Sequence, residues 1–384
     1  MPFNRRKIMK KLTLLLIAVL TALTLSFAFT GCKPSQPAAQ DVFETENFVF
    51  TLNKTVGSDV YTVKPTEKGK SQEKLTIPGD IYGYRVTAVG QQAFKDATAL
   101  KELTLSSGIT IIEGAAFSGC KSLTSLTLPD TLVSIKANAF ENCDSLQRVD
   151  LPSSVRAMEA YAFSNCKSLS SVTLSASMKT VADYAFSETA IRSITIPDGV
   201  KKICAYAFAG CEKLAEVKLP ASLSEIATYA FSNCTSLTEI LFPRNDMLKL
   251  GAYAFCFAGL TKVYIPENVI LGEYTFMKLA WDDSVPNPGE PGSPGLSGCT
   301  AIYYESPEGS LGTNAFGYTW NRPDKGFHIY VPSGSMNYYT SKGITDEAWN
   351  RCVVNSVNSN NGEFKVLQEY DISEVFPNGF PVAK

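Results

Sequence analysis

Ten cysteines, a single histidine and a scatter of carboxylates are the groups in this chain with the widest chemical range. Five of the cysteines are regularly spaced: Cys120, Cys143 and Cys166 follow one another at 23 residues, and so do Cys211 and Cys234. In a chain of stacked turns that spacing builds a column with neighbours about 5 Å apart, the inter-strand distance. Neighbours such as Cys120 and Cys143 could bridge if the stacking let their side chains converge. A metal site is a weaker reading, because ligands on parallel rungs do not converge tetrahedrally and the only histidine is His328. The favoured reading is a packing column of reduced thiols: Ala97 shares the position and Thr189 approximates it. A site that accepts alanine is small and buried, where free cysteine is at home. No metal is expected, and Cys204, Cys256, Cys299 and Cys352 fall outside the column.

Catalytic patterns are missing. The chain has no G-x-S-x-G elbow, no phosphate-binding glycine loop and no H-E-x-x-H. Its acids are spread over the repeats; Glu216 and Glu239 share one slot on neighbouring turns, where like charges repel mildly. No catalytic residue and no cofactor is expected, so the chain reads as a non-enzyme.

What would position these groups is a repeat. The pair Ala-Phe returns with its ring at Phe94, Phe117, Phe140, Phe163, Phe186, Phe208, Phe231 and Phe255, in steps of 23, 23, 23, 23, 22, 23 and 24 residues. Phe276 follows after 21 residues, and Ala315-Phe316 after a further 40. A period held this closely is the mark of a solenoid. With each Phe as zero, apolar residues recur at −8, −5, −1 and 0; the spacing of the last three suggests a short helix or a 3₁₀-like turn. Downstream, in Leu126 and Leu128 before Pro129, or Val217 and Leu219 before Pro220, apolar residues stand two apart, which is strand spacing ended by proline. Each unit is then a strand, a turn and a short helical return. Stacked units close a continuous core, with the strands in a parallel sheet on one face.

The run from Ile135 to Pro152 fits Ile-x-x-x-Ala-Phe-x-x-Cys-x-x-Leu-x-x-Leu-x-Leu-Pro almost completely. This resembles the BspA-like, treponemal class of leucine-rich repeat, over roughly residues 75 to 332. The resemblance implies an α/β solenoid, a leucine-rich-repeat superhelix of about 23 residues per turn with a parallel sheet on one face and terminal caps. The usual asparagine ladder is absent, with cysteine or another small residue taking part of its role. Relatives of this class include bacterial surface adhesins that engage host matrix proteins or other cells.

Outward strand positions can be read from the same frame. One column runs Thr104, Thr127, Asp150, Thr173, Thr195, Lys218, Leu241, Tyr264, Tyr303 and Tyr330; the column two residues earlier ends in Lys262, Ala301 and His328. The threonines suit a sheet and need no functional reason. Lys218, Leu241, Lys262, Tyr264, Tyr303, His328 and Tyr330 form the candidate binding face, since exposed tyrosines bury area at low entropic cost. The alternative is that a C-terminal cap or the Pro-rich loop covers the tyrosines. A second column at −2, Tyr161, Tyr184, Tyr206, Tyr229, Tyr253 and Tyr274, reads as stacking along the solenoid, with a glycan-binding stripe as the alternative.

Residues 1–31 carry Arg5, Arg6, Lys7, Lys10 and Lys11 before the apolar run Leu12–Phe29, the pattern of a secretory signal. Thr30-Gly31-Cys32 resembles a lipobox, with Phe29 an imperfect match where leucine is usual, and implies a lipidated Cys32 that anchors the chain to a membrane; plain secretion or a retained transmembrane anchor is the alternative. Residues 32–41 then read as lipidated cysteine and tether. The expected divisions are 42–88, N-terminal cap and first strands; 89–280, regular repeats; 281–299, a Pro/Gly-rich loop; 300–354, last repeats and closing turn; and 355–384, cap or tail. The loop holds Pro286, Pro288, Pro291 and Pro294 and is either a tolerated insertion or a flap beside the binding face. The chain's net charge of −2 becomes about −7 without the signal, which removes five basic residues and no acid. That balance gives no encouragement to a nucleic-acid partner, which wants a basic stripe, and none is expected. The expected function is non-catalytic binding on a bacterial envelope, at the outer or the periplasmic face of an outer membrane, through a protein ligand such as a host matrix protein. A glycan-binding or envelope-structural lipoprotein is the alternative, and a monomer is the favoured state.

Overall fold

The computed structural model describes residues 38–53, 60–244, 247–273 and 275–276, and the backbone of 301–304, 328–332 and 367–370. Most described turns contribute two short strands rather than one; the turn through Ile240 contributes only the second. The first ribbon holds the strands read from the proline-terminated motif: Lys74–Ile77, Glu102–Leu105, Ser125–Thr127, Arg148–Asp150, Ser171–Thr173, Ser193–Thr195, Glu216–Lys218 and Lys262–Ile265. Its pairings are parallel and in register, for example Arg148 with Ser171 and Ser193 with Glu216. Ala301–Tyr304, His328–Pro332 and Leu367–Tyr370 continue it in parallel from Lys262–Ile265. Within the strands the alternation is as expected: Glu102–Leu105 reads exposed, buried, exposed, buried.

The second ribbon comes from the −6 and −5 positions. It includes Ile111–Ile112, Ser134–Ile135, Ala157–Met158, Thr180–Val181, Lys202–Ile203, Glu225–Ile226, Leu248–Leu250 and Val269–Leu271. At the N-terminal side it grows from Tyr84–Val89, which pairs in parallel with Val60–Pro65; that strand is antiparallel to Phe48–Asn53, and Phe48–Asn53 to Val42–Glu44. Among the described residues the one helix is the single turn Glu67–Lys70, capped by the Thr66 hydroxyl on Gly69 N–H at 3.1 Å.

The expected helical return is therefore corrected: in every described repeat the −5 to +3 segment ends a strand and continues as a chain of tight turns. The reason is backbone handedness. Residues at −2 and +2 take positive φ, as at Asn138 (60°) and Asn142 (59°), Tyr161 (60°) and Asn165 (58°), Tyr229 (55°) and Asn233 (58°). A left-handed residue every fourth position cannot belong to a right-handed helix. The benefit lies in where the amides point. In the first repeat the N–H groups at −1, +1 and +3 close turns, Ala93 to Gly90 O, Lys95 to Gln92 O and Ala97 to Phe94 O, at 3.1, 3.2 and 3.0 Å. Those at −2, 0 and +2 reach the next turn instead, Gln92 to Gly114 O, Phe94 to Ala116 O and Asp96 to Ser118 O, at 2.9, 2.7 and 2.8 Å. Every amide from −2 to +3 is thus paired, half of them along the axis, which a helix could not do.

The interior is a ring column. Phe94, Phe117, Phe140 and Phe163 stack at centroid distances of 5.1 Å with planes within 9° of parallel, and the column continues to Phe276. Rings tilted off the axis in this way sit offset, the favoured aromatic arrangement. The leucines at +6, Leu123, Leu146, Leu169, Leu214 and Leu237, are fully buried beside them. Burial of each such side chain contributes about 2–3 kcal/mol, a driving force no single turn could supply alone.

The cysteine column has a specific task. All five thiols are free and fully buried. Each Sγ donates to the carbonyl of the phenylalanine one turn earlier: Cys120 to Phe94 O (3.2 Å), Cys143 to Phe117 O (3.4 Å), Cys166 to Phe140 O (3.2 Å), Cys211 to Phe186 O (3.1 Å) and Cys234 to Phe208 O (3.3 Å). The column therefore links rung to rung, the part an asparagine ladder would play. Thr189 instead donates to Phe186 O in its own turn at 2.9 Å and meets Cys211 Sγ at 3.2 Å. There the Phe163–Phe186 ring step widens to 5.7 Å.

Candidate binding face

The outward side of the first ribbon is built by strand alternation over this filled interior. Thr104, Thr127, Thr173 and Thr195 are exposed, a hydroxyl track broken at Asp150. Arg148 donates to Asp150 at 2.6 and 3.1 Å, and the Thr173 hydroxyl adds a bond at 2.7 Å. The Arg148 bond, reinforced by that hydroxyl, holds the Asp150 carboxyl below its ordinary value. Further along, Lys218 is exposed and pairs with Glu216 at 3.2 Å, Leu241 is half-buried and Lys262 is exposed. Tyr264 is half-buried; burial, then the Glu239 carboxylate, push its phenol above the ordinary value.

Backbone register joins the expected tyrosines: Tyr264 pairs with Tyr303 and Tyr303 with Tyr330, while Lys262, Ala301 and His328 line the neighbouring position. The side chains of Tyr303, Tyr330 and His328 lie outside the described residues, as do Cys32, residues 281–299, Ala315-Phe316 and Tyr274. The −2 column does stack: Tyr161, Tyr184, Tyr206, Tyr229 and Tyr253 follow one another at 4.4 to 4.8 Å with planes within 12° of parallel. Their ring faces are occupied by one another, so the surface receives edges and hydroxyls.

Sequence reasoning missed the second ribbon and its cross-turn ion pairs, Lys136–Glu159 at 2.7 Å and Lys202–Glu225 at 2.9 Å. Two-residue strands show no alternation, but the recurrence of charge at −6 and −4 in the Phe frame was available to find them. Among the described residues, no group of three or more histidine, cysteine or acidic side chains could hold a metal ion. Nor is any helix among them long and apolar enough to cross a membrane.

Stacked turns of about 23 residues, parallel ribbons and a leucine–phenylalanine interior define a leucine-rich-repeat solenoid, an architecture that offers extended binding surfaces. The model of the BspA-type leucine-rich repeat region matches residues 87–215 and 179–281, with six copies, and the chain belongs to this family. Similar solved structures include a leucine-rich repeat protein from T. pallidum, 30% identical over 51% of this chain and 90% of that one, with a TM-score of 0.46. A leucine-rich repeat protein from Bacteroides ovatus is 21% identical over 76% and 72% of the two chains, with a TM-score of 0.47. A leucine rich cell surface protein from Faecalibacterium prausnitzii is 20% identical over 92% and 100%, with a TM-score of 0.41. No curated protein matches the chain.

Proposed function

We propose that the chain is a non-enzymatic scaffold, lipid-anchored through Cys32 in a bacterial outer membrane, whose first ribbon docks a protein ligand. The observation that carries this reading is the backbone register of Tyr264 with Tyr303 and of Tyr303 with Tyr330, with the exposed Lys262 one outward position away on the same strand. Charged and aromatic side chains side by side on a rigid sheet suit a broad protein patch, where tyrosine supplies contact area and a hydroxyl. Host matrix proteins are the ligand class to test first. Family membership supports the scaffold role, since repeats of this kind work through surfaces rather than catalytic clefts.

Two measurements test the reading. Protease shaving of whole cells, followed with an antibody, should remove the protein from intact cells; protection until the cells are permeabilised sinks the adhesion role. In a screen against matrix proteins, Tyr264→Ala combined with Tyr303→Ala should abolish the binding found with the wild-type chain. Unchanged binding moves the site off this face.

A further inference from the structure

The second ribbon carries a row of like charge. Seven residues before each phenylalanine stand, in successive turns, Thr110, Val133, Arg156, Lys179, Lys201 and Ser224. Backbone bonds join this position on either side of one break: Arg156 N–H donates to Val133 O at 3.0 Å, Lys201 N–H to Lys179 O at 2.8 Å and Ser224 N–H to Lys201 O at 2.9 Å, while the ladder is interrupted between Ala157–Met158 and Thr180–Val181. Arg156, Lys179 and Lys201 are all exposed, and none forms an ion pair among the described residues.

Elsewhere neighbouring turns meet with opposite charge, as at Lys74–Glu102 (2.7 Å), Lys136–Glu159 and Lys202–Glu225. Three cations in line repel one another on a sheet, where opposite pairs would stabilise it. The carboxylates nearby form no ion pair with the row. Glu159 is taken by Lys136, Glu225 by Lys202, and Asp183 accepts the Ala205 N–H at 2.8 Å, which leaves Asp198 exposed on the adjoining corner. The Lys179 ammonium extends to the corner of the next turn, against Gly199 and next to Asp198 in sequence.

We propose that Arg156, Lys179 and Lys201 form a binding site for an acidic polysaccharide, sulfated or carboxylated, laid along the solenoid axis. The row is one residue wide and about 10 Å long at the strand spacing of about 4.8 Å per turn, a shape that fits a linear chain with spaced anionic groups. A membrane surface calls for a wider basic plane with apolar side chains to insert. Of the exposed large hydrophobics only Val133 shares this column. Duplex nucleic acid carries phosphates on two strands and calls for a broader basic surface than a row one residue wide. The site is separate from the first ribbon and does not depend on what that ribbon binds.

Immobilised heparin, with uncharged dextran as the control matrix, tests the site on the full chain. The wild type should bind heparin and not dextran, with affinity falling as salt rises. Replacing Arg156, Lys179 and Lys201 together by serine, a residue this column already holds at Ser224, should weaken heparin binding on the order of tenfold or more. A second triple variant, Lys121→Ser, Lys167→Ser and Lys213→Ser, removes the same charge at another corner and should change binding less than twofold. Equal losses in the two variants, or none in the first, overturn the proposal. So does tighter binding to duplex DNA or to anionic phosphatidylserine vesicles than to heparin.

Discussion

From Phe94 to Phe276 the interior column repeats one ring at every turn, while the outward column beside it passes from Thr104 through Asp150 and Lys218 to Leu241 and Tyr264. The two columns lie on the same turns and share the same backbone register, so the fold does not explain the difference. Inside, each ring must fill the space left by the rings above and below, and in interiors packed to crystal density a change of volume is felt. Outside, a side chain touches water and its neighbours' edges, and the stack is indifferent to it. What varies outside is therefore free to be shaped by a partner; what repeats inside is held by the stack.

Breaking the interior column gives the largest effect. Phe140 is fully buried between Phe117 and Phe163, at 5.1 Å from each. Phe140→Ala should lower stability by about 3–5 kcal/mol in urea unfolding, since the rigid turns on either side cannot collapse into the cavity. Thr127→Ala, in the outward column, should shift stability by less than about 0.5 kcal/mol. Comparable losses at the two sites would erase the distinction.

The thiols sharpen the same contrast through pH. Burial pushes the Cys120 thiol up from 9.0 to about 12 and the Cys211 thiol to about 11. The folded chain therefore keeps these protons over a range in which the unfolded chain releases them. Stability from this source is complete below pH 9 and is lost as pH rises toward the folded values. Between pH 8 and pH 10.5 the wild type should lose about 2 kcal/mol more than Cys120→Ala. Alanine is tolerated there, as Ala97 occupies the position in the first turn. Identical pH slopes for the two proteins would show that the buried column does not hold its protons in this way.

The interior and the first ribbon were legible because they declare themselves by period. The Phe steps set the turn, and apolar residues two apart, as at Val149 and Leu151, set the strand that the structure places at Arg148–Asp150. The Thr track and the register of Tyr264 with Tyr303 and Tyr330 follow from that frame. The return segment was misread because successive turns reproduce helical spacing at −5, −1 and 0. The corrective signal was present in Asn138 and Asn142, four apart and of the type that tolerates left-handed backbone. Ala157–Met158 gave no signal, because a strand of two residues has no alternation to show.

The tyrosine column tests the comparison at its border, being repeated like the interior yet placed at the surface. Tyr206 stacks on Tyr184 at 4.5 Å and on Tyr229 at 4.8 Å, and its φ is 57°. If the column belongs with the interior, Tyr206→Ala should cost about 1–2 kcal/mol, the worth of two ring contacts. Tyr206→Gly should then cost no more than Tyr206→Ala and about 0.5 kcal/mol less, because glycine enters left-handed backbone without the Cβ penalty that alanine carries. This reverses the usual order, in which glycine loses to alanine through the entropy of the unfolded chain. Thermal or urea unfolding of the two variants decides it. If Tyr206→Ala is neutral, the rings contribute nothing to the stack, and the column belongs with the outward positions that the turns leave free.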